Sequence, residues 1–523
     1  MLVKIFSGAV NGIEATTITL EVNILNGAKF IIVGLPDNAV KESQQRIDSA
    51  LREIGSRIPG KRVIINMAPS QVQKGGPGFH RPADVKKEGS AYDLPLCIGI
   101  LAANEQLSPE GLENFMMLGE LSLDGSLVAV KGVLPIAINA RSEGFKSIIV
   151  PLENANEAAV VEGIHVYGFS HIREVTDFLN GKQQAEPFTF DPTLSEVTND
   201  LLYDFKDVKG QETVKRALEI AAAGAHNLLM VGAPGSGKTM LARRLPGILP
   251  PMTVEESLET TKIHSVAGKL SRNCSLITTR PFRSPHHTIS PIALIGGGSF
   301  PRPGEISLAT NGVLFLDELT EFQRNVLEVM RQPLEDRKIT ISRARYSVDY
   351  PANFMLIASM NPCPCGYYNH PTKECTCSGS AIQHYLSKIS GPLLDRIDMH
   401  IEVVPVELEK IAGIQEADPS SVVRARVITA RNIQTERFKD YPGIYCNAQM
   451  SPPLLKRFCP LDKQCLSLLK MAMQKFGLSA RAYDRIIKLS RTIADLASSD
   501  HILPQHIAEA IQYRNLDRES WGS

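Results

Sequence analysis

The chain has 523 residues, more than one hydrophobic core usually serves, so two or three domains are expected. Hydrophobic residues make up 43% and charged residues 21%, the ordinary range for a globular chain, and 56 basic residues balance 56 acidic ones. That balance excludes a wholly basic nucleic-acid coat but leaves room for a locally basic channel or loop.

The opening segment MLVKIFSGAVNG has neither a long apolar stretch nor a small-residue cleavage site, so no signal peptide is expected. No apolar run approaches the ~18 residues that a membrane helix needs. Nine cysteines, an odd number, fit a reducing cytoplasm, where clustered cysteines point to metal rather than to disulfides.

Residues 1–185 contain strand-like runs, among them Lys61–Asn66 and Leu127–Val130, and the Asp124–Gly125 pair predicts a hairpin turn. A polar, proline-containing stretch predicts a linker over 186–204. Over 205–407, apolar strands alternate with helical patterns (HNLLMVG, GVLFLDE, NFMLIASMN, DMHIEVV), which argues for a parallel sheet covered by helices. From 408 to 523 the pattern is helical, as in Ala480–Ala497.

The segment Gly232, Ala233, Pro234, Gly235, Ser236, Gly237, Lys238, Thr239 is a complete phosphate-binding loop, preceded by the apolar run Leu228–Val231 and followed by a helical stretch. Its glycines let backbone N–H groups turn toward phosphate oxygens, Lys238 reaches the β- and γ-phosphates, and Thr239 ligates Mg²⁺. The run Val313–Leu316 then ends in Asp317 and Glu318. In this pairing Asp317 holds Mg²⁺ and Glu318 orients and activates water, so ATP with Mg²⁺ is the expected substrate pair. Asn361 follows another apolar strand and is placed to position that water, although asparagine at a strand end is also a common turn former. Arg396 has the charge to act as an arginine finger on a neighbouring subunit, and Arg481 to read nucleotide state from the helical domain. Either can equally be a surface arginine.

Cys363, Cys365, Cys375 and Cys377 form two C-x-C pairs with nine residues between them. Four thiolates so spaced can surround a structural Zn²⁺; the alternative is four free thiols in a polar loop.

These motifs, with Arg280–His287 (RPFRSPHH), Pro303–Ser307, Ile341–Ala344, MNPCPCG and GLSARAYDRI, closely resemble the YifB/ComM family of magnesium-chelatase-like AAA+ proteins. The resemblance implies an α/β multidomain fold with an AAA+ P-loop core and a C-terminal helical lid. It also implies a ring hexamer with nucleotide between subunits. Family members act as DNA helicases in branch migration during natural transformation, so single-stranded or branched DNA is the implied partner. By the same resemblance, RPFRSPHH through Ser307 lies in an insert of the ATPase core, and Lys338–Tyr350 forms a β-hairpin that faces the ring channel. Residues 337–346 carry four basic residues and no acidic one, a footprint suited to a phosphate backbone through Lys338, Arg343 and Arg345. Outward-pointing solvated charges are the bland alternative. His286 and His287 lack a third ligand and are read as structural or channel residues.

Gly119–Val133 and Gly144–Pro151 resemble the proteolytic domain of Lon, which implies an N-terminal α+β domain of that kind (S5 domain 2-like). Aligned with it, Ala91 and Leu134 occupy the positions of the Ser–Lys dyad; Ser90 and Lys131 are nearby substitutes, but each would need a register shift, which argues for the fold without the activity. An ATP-driven DNA motor is therefore the leading reading. A chelatase-type switch that remodels a partner protein comes next, and an ATP-dependent protease last.

Overall fold

The computed structural model describes residues 1–34, 36–69, 89–191, 203–271, 274–298, 301–343, 346–406 and 418–514, with the side chains of Arg343 and Tyr346 left aside. Arg345, the greater part of the 186–204 linker and the expected boundary at 407/408 lie outside the described residues. The chain divides into two compact units, Met1–Glu196 with Val254–Thr278, and Val197–Thr253 with Thr279–Ser523.

The first unit is built on a seven-stranded mixed sheet. Its order is Phe30–Val33, Arg62–Pro69, Glu14–Leu25, Leu2–Asn11, Phe115–Met117, Ser147–Pro151 and His165–Phe169. The two longest strands pair antiparallel from Leu2 opposite Asn23 to Asn11 opposite Glu14, and their alternating inward residues (Val3, Ile5, Ile18, Leu20, Val22) feed the core. Beyond its first residue Asp93, which pairs with Arg46 at 2.6 Å, helix Asp93–Ala103 is apolar on every side and buried along its whole length, as a helix without a polar face must be. The Asp124–Gly125 turn joins Glu120–Leu121 to Leu127–Val128 in an antiparallel pair, with Gly125 at φ +82°.

Helix Val254–Ala267 lies in sequence between the phosphate loop and the acidic strand, yet it belongs to this first unit, where it packs on helix Val133–Ser142. The Ser265 hydroxyl donates to the buried Glu157 carboxylate, which also accepts from Leu134 N (2.8 Å) and Asn154 Nδ2 (3.2 Å). Burial pushes the Glu157 carboxyl above its ordinary range, and these donors oppose the shift.

The second unit holds a five-stranded, all-parallel sheet in the order Phe282–Arg283, Val313–Leu316, Met355–Met360, Leu228–Gly232, Met399–Val403. The strands other than the Phe282–Arg283 pair are almost wholly buried, which explains their near-continuous apolar sequences. Helices Ser420–Phe438, Pro452–Phe458, Lys463–Phe476, Ala480–Leu496 and Pro504–Gln512 make up the C-terminal part. Asp462 and Ser479 cap two of them by accepting from Cys465 N and Ala482 N. The fold is thus a multidomain α/β fold with a parallel sheet and a helical C-terminal region.

Candidate active site

The phosphate loop leaves the central region of the parallel sheet at Gly232. A side chain there would put its Cβ 2.3 Å from the Val403 carbonyl oxygen, so only glycine fits. Gly235 and Gly237 take φ of +77° and +93°, turning the loop into the helix that starts at Lys238. The Lys238 ammonium donates to Gly232 O (2.6 Å), Ala233 O (2.9 Å) and Asn361 Oδ1 (3.3 Å). Burial draws its pKa below the ordinary lysine value, with Asp317 and Glu318 acting against the shift.

Thr239 Oγ1 lies 2.7 Å from Asp317 Oδ2. This hydroxyl–carboxylate pair is the hard-oxygen donor set that Mg²⁺ prefers, so the residues present fit the ion. Asp317 is fixed from its other oxygen by the Ser359 hydroxyl and by Glu318 N (3.1 Å). Ser359 was not singled out in the sequence. Its signal was a small polar residue in an apolar strand, two positions before Asn361 and so on the same strand face.

Glu318 sits at φ +55°, a left-handed conformation that is costly for a non-glycine residue, and its side chain is 60% exposed. His287 Nδ1 stands 3.6 Å from Glu318 Oε2, and the His287 ring stacks on His286 at 4.1 Å between centroids. His287 thus belongs to the surroundings of the acidic pair. The segment that carries it is fastened by a bidentate Arg283–Glu305 pair at 2.6 and 2.8 Å. The RPFRSPHH segment also contributes Phe282–Arg283, the edge strand of the sheet.

Arg396 pairs with Glu335 and donates to Pro392 O at 2.7 Å. Two residues on, Asp398 is buried between the sheet and the C-terminal helices. It accepts from Asn227 N (2.9 Å) and pairs with Arg485 of helix Ala480–Leu496. Asn227 ties the same strands together through Leu356 N (2.8 Å) and the Arg396 carbonyl (3.3 Å). Burial pushes the Asp398 carboxyl up, but Arg485 and His226 outweigh it and hold it far below the usual carboxylate range. Arg481 is exposed in the first turn of that helix, one turn before Arg485.

The four cysteines converge. Cys363 Sγ lies 3.3 Å from Cys365 Sγ and 3.7 Å from Cys375 Sγ, and all four sulfurs lie within 4.8 Å of one another. The expected hairpin is formed by Lys338–Arg343 and Tyr346–Pro351 in antiparallel register. Ile339, Ile341, Val348 and Tyr350 are buried, and Tyr350 Oη donates to Pro301 O (2.8 Å). Lys338 Nζ is 3.7 Å from Asp349, with both side chains more than half exposed, so part of its charge is offset within the hairpin. Arg337 is half-buried and donates to Ala448 O (3.0 Å), so its charge is turned in part toward the C-terminal helices rather than to an exposed basic face.

Residues 204–411 match the family described as magnesium chelatase, subunit ChlI, and residues 417–514 match the C-terminal part of that subunit. Residues 20–80 and 81–154 match a further family described as subunit ChlI of Mg-chelatase. The chain is 42% identical to competence protein ComM of Haemophilus influenzae, across 99% of this chain and 98% of that protein. It is also 42% identical to YifB of Escherichia coli, across 97% and 96%. A more distant relative, the magnesium-chelatase 67 kDa subunit of Heliobacterium mobile, is 22% identical over 58% of this chain and 46% of its own length. With the phosphate loop, acidic strand and parallel sheet assembled as above, the chain belongs to the YifB/ComM family of magnesium-chelatase-like AAA+ ATPases.

Proposed function

We propose that this AAA+ ATPase is a motor that acts on single-stranded or branched DNA as a cytoplasmic ring hexamer, promoting branch migration during recombination and natural transformation. The observation that carries the reading is the hairpin: a β-ribbon with one buried face, inserted between the acidic strand and the Asn361 strand, in a segment whose charge is basic. Full-length similarity to a competence protein supports DNA as the partner.

In this reading Gly232–Thr239 cradle the ATP phosphates, while Thr239 and Asp317 hold Mg²⁺, which neutralises phosphate charge when bound. Glu318 takes a proton from the attacking water as its oxygen bonds to the γ-phosphorus, and the bridging oxygen leaves with ADP. Asn361 positions that water. Arg396 leaves Glu335 to reach the γ-phosphate bound by a neighbouring subunit, and Arg481 reports nucleotide state to the lid. Lys338, Arg343 and Arg345 contact the DNA backbone, and Cys363, Cys365, Cys375 and Cys377 hold a structural Zn²⁺.

The chelatase-type switch is the second reading, favoured by the chelatase-subunit matches along most of the chain. A protease is disfavoured because Ala91 and the buried Leu134 offer neither nucleophile nor base. Steady-state ATP hydrolysis with and without single-stranded DNA separates the first two. The motor predicts stimulation by DNA, and a rate indifferent to DNA contradicts it.

A further inference from the structure

The cysteine loop is placed to act on the phosphate loop. Asn361, at its start, accepts from the Lys238 ammonium at 3.3 Å. Two residues later Cys363 is completely buried, and its carbonyl accepts from Gly366 N (3.0 Å), closing a tight turn between the first two thiols. Gly366 has φ +83°, and a Cβ there would fall 2.5 Å from Cδ of Pro234, a phosphate-loop residue. The loop therefore meets the phosphate loop twice, at Lys238 and at Pro234, with the thiol cluster immediately beyond.

Apart from the thiols, what shapes this loop is local and solvent-facing: His370 Nδ1 accepts from Thr372 N (3.2 Å) and Lys373 N (3.1 Å), and the Lys373 ammonium lies over the Tyr367 ring. From Tyr367 to Ser380 its residues are exposed or half-buried, with no apolar core of their own. Ordering such a stretch costs roughly 1–2 kcal/mol per residue in backbone entropy, which a cross-link must offset. The sulfur spacing suits a single ion. Zn–S bonds of ~2.3 Å in a tetrahedron put the sulfurs roughly 3.8 Å apart, and three of the observed separations are 3.3, 3.6 and 3.7 Å. Soft thiolates in that arrangement select zinc over the hard cations. Tyr368 N, 3.3 Å from Cys363 Sγ, supplies the N–H support that a ligating thiolate uses.

We infer that the zinc-bound cysteine loop is a brace for the phosphate loop, so that metal occupancy sets the affinity for nucleotide. This rests on the zinc assignment made above. The brace pins Pro234 through Gly366 and presents Asn361 to Lys238; loss of the ion frees both contacts without touching a phosphate-binding group.

The test combines elemental analysis of the full chain, purified without chelator, with titration of a fluorescent ATP analogue. One zinc per chain is expected. A Cys375→Ser/Cys377→Ser variant should lose the zinc and bind the analogue roughly tenfold more weakly, because a phosphate loop that must be ordered on binding loses that cost from its affinity. Cys377→His in the otherwise native chain keeps four zinc ligands, three thiolates and an imidazole, and should retain both properties, which shows that the effect follows the metal and not the loss of a cysteine. Gly366→Ala should keep the zinc yet bind as weakly as the serine variant. If zinc is present but the serine and Gly366→Ala variants bind the analogue like wild type, the brace is overturned while the zinc assignment stands. If no metal is found and four thiols titrate freely, the zinc assignment fails and the brace with it.

Discussion

The Thr239 hydroxyl meets the Asp317 carboxylate at 2.7 Å, joining the phosphate loop to the acidic strand across 78 residues of sequence. Ser359 holds the far oxygen of the same carboxylate, and Asn361, two residues on, touches Lys238. The phosphate loop, the acidic pair and Asn361 therefore come together from three adjacent parallel strands.

Binding and hydrolysis should separate by mutation. Lys238→Ala removes the cation for the phosphates and should abolish binding of a fluorescent ATP analogue. Glu318→Gln keeps the phosphate contacts but loses the base, so binding should stay within a few-fold of wild type. Its turnover should fall by about 10²–10⁴, the usual contribution of a positioned general base. Turnover near the wild-type rate in Glu318→Gln would remove that residue from its role.

His287 should tune Glu318 rather than bind nucleotide. With its Nδ1 3.6 Å from the carboxylate, His287→Ala is expected to change kcat several-fold while leaving analogue affinity unchanged. A parallel loss of affinity would show that the residue supports the loop as a whole.

Arg396 should work in trans. Mixing Arg396→Ala subunits with Lys238→Ala subunits creates some interfaces in which an intact finger faces an intact phosphate loop. Part of the ATPase activity should return, although each variant alone is inactive. Mixed assemblies that form normally but never hydrolyse ATP would count against the finger.

Acid should weaken the link between the C-terminal helices and the sheet. The folded-state pKa of Asp398 is depressed, so the unfolded chain binds this proton more readily. The stability from the Arg485 pair is then present above the unfolded aspartate value, near pH 4, and is lost as pH falls below it. Asp398→Asn leaves the partly exposed Arg485 without its partner and should cost about 1–3 kcal/mol at neutral pH, less than for a fully buried pair. The variant's Tm should also depend less on acid than that of wild type. Equal acid slopes for the two proteins would show that other carboxylates govern the transition.

Neutralising Lys338, Arg343 and Arg345 should weaken DNA binding with little regard to sequence, and each lost phosphate contact should reduce the log–log salt slope by ~0.7 for single strands. Because Lys338 already has Asp349 at 3.7 Å, its share should be the smallest of the three. An unchanged slope would take the hairpin out of DNA contact.

The parts of the site that could be read in the sequence are those whose chemistry demands a local pattern. The phosphate loop needs its glycines in order, and the acidic pair needs an apolar strand before it. Other features rest on contacts between distant segments and leave no local trace. Helix Val254–Ala267 joins the first unit through partners such as Glu157, 108 residues from Ser265. The edge strand Phe282–Arg283 is two residues long, too short to show a period. Asp398–Arg485 and His287–Glu318 each look like ordinary charged or polar residues until the fold brings the partners together. The basic count over 337–346 was legible but overstated the exposed charge, because Arg337 is half-buried on Ala448, 111 residues away, and Lys338 has Asp349 beside it.

The central claim, an ATP-driven motor on DNA, is tested most directly by displacement of a labelled strand from a branched DNA by the full chain. Wild type with ATP and Mg²⁺ should release the strand, while Lys238→Ala and Glu318→Gln should release none. Active ATP hydrolysis by wild type, with no strand released and no change in rate on adding DNA, would contradict the motor.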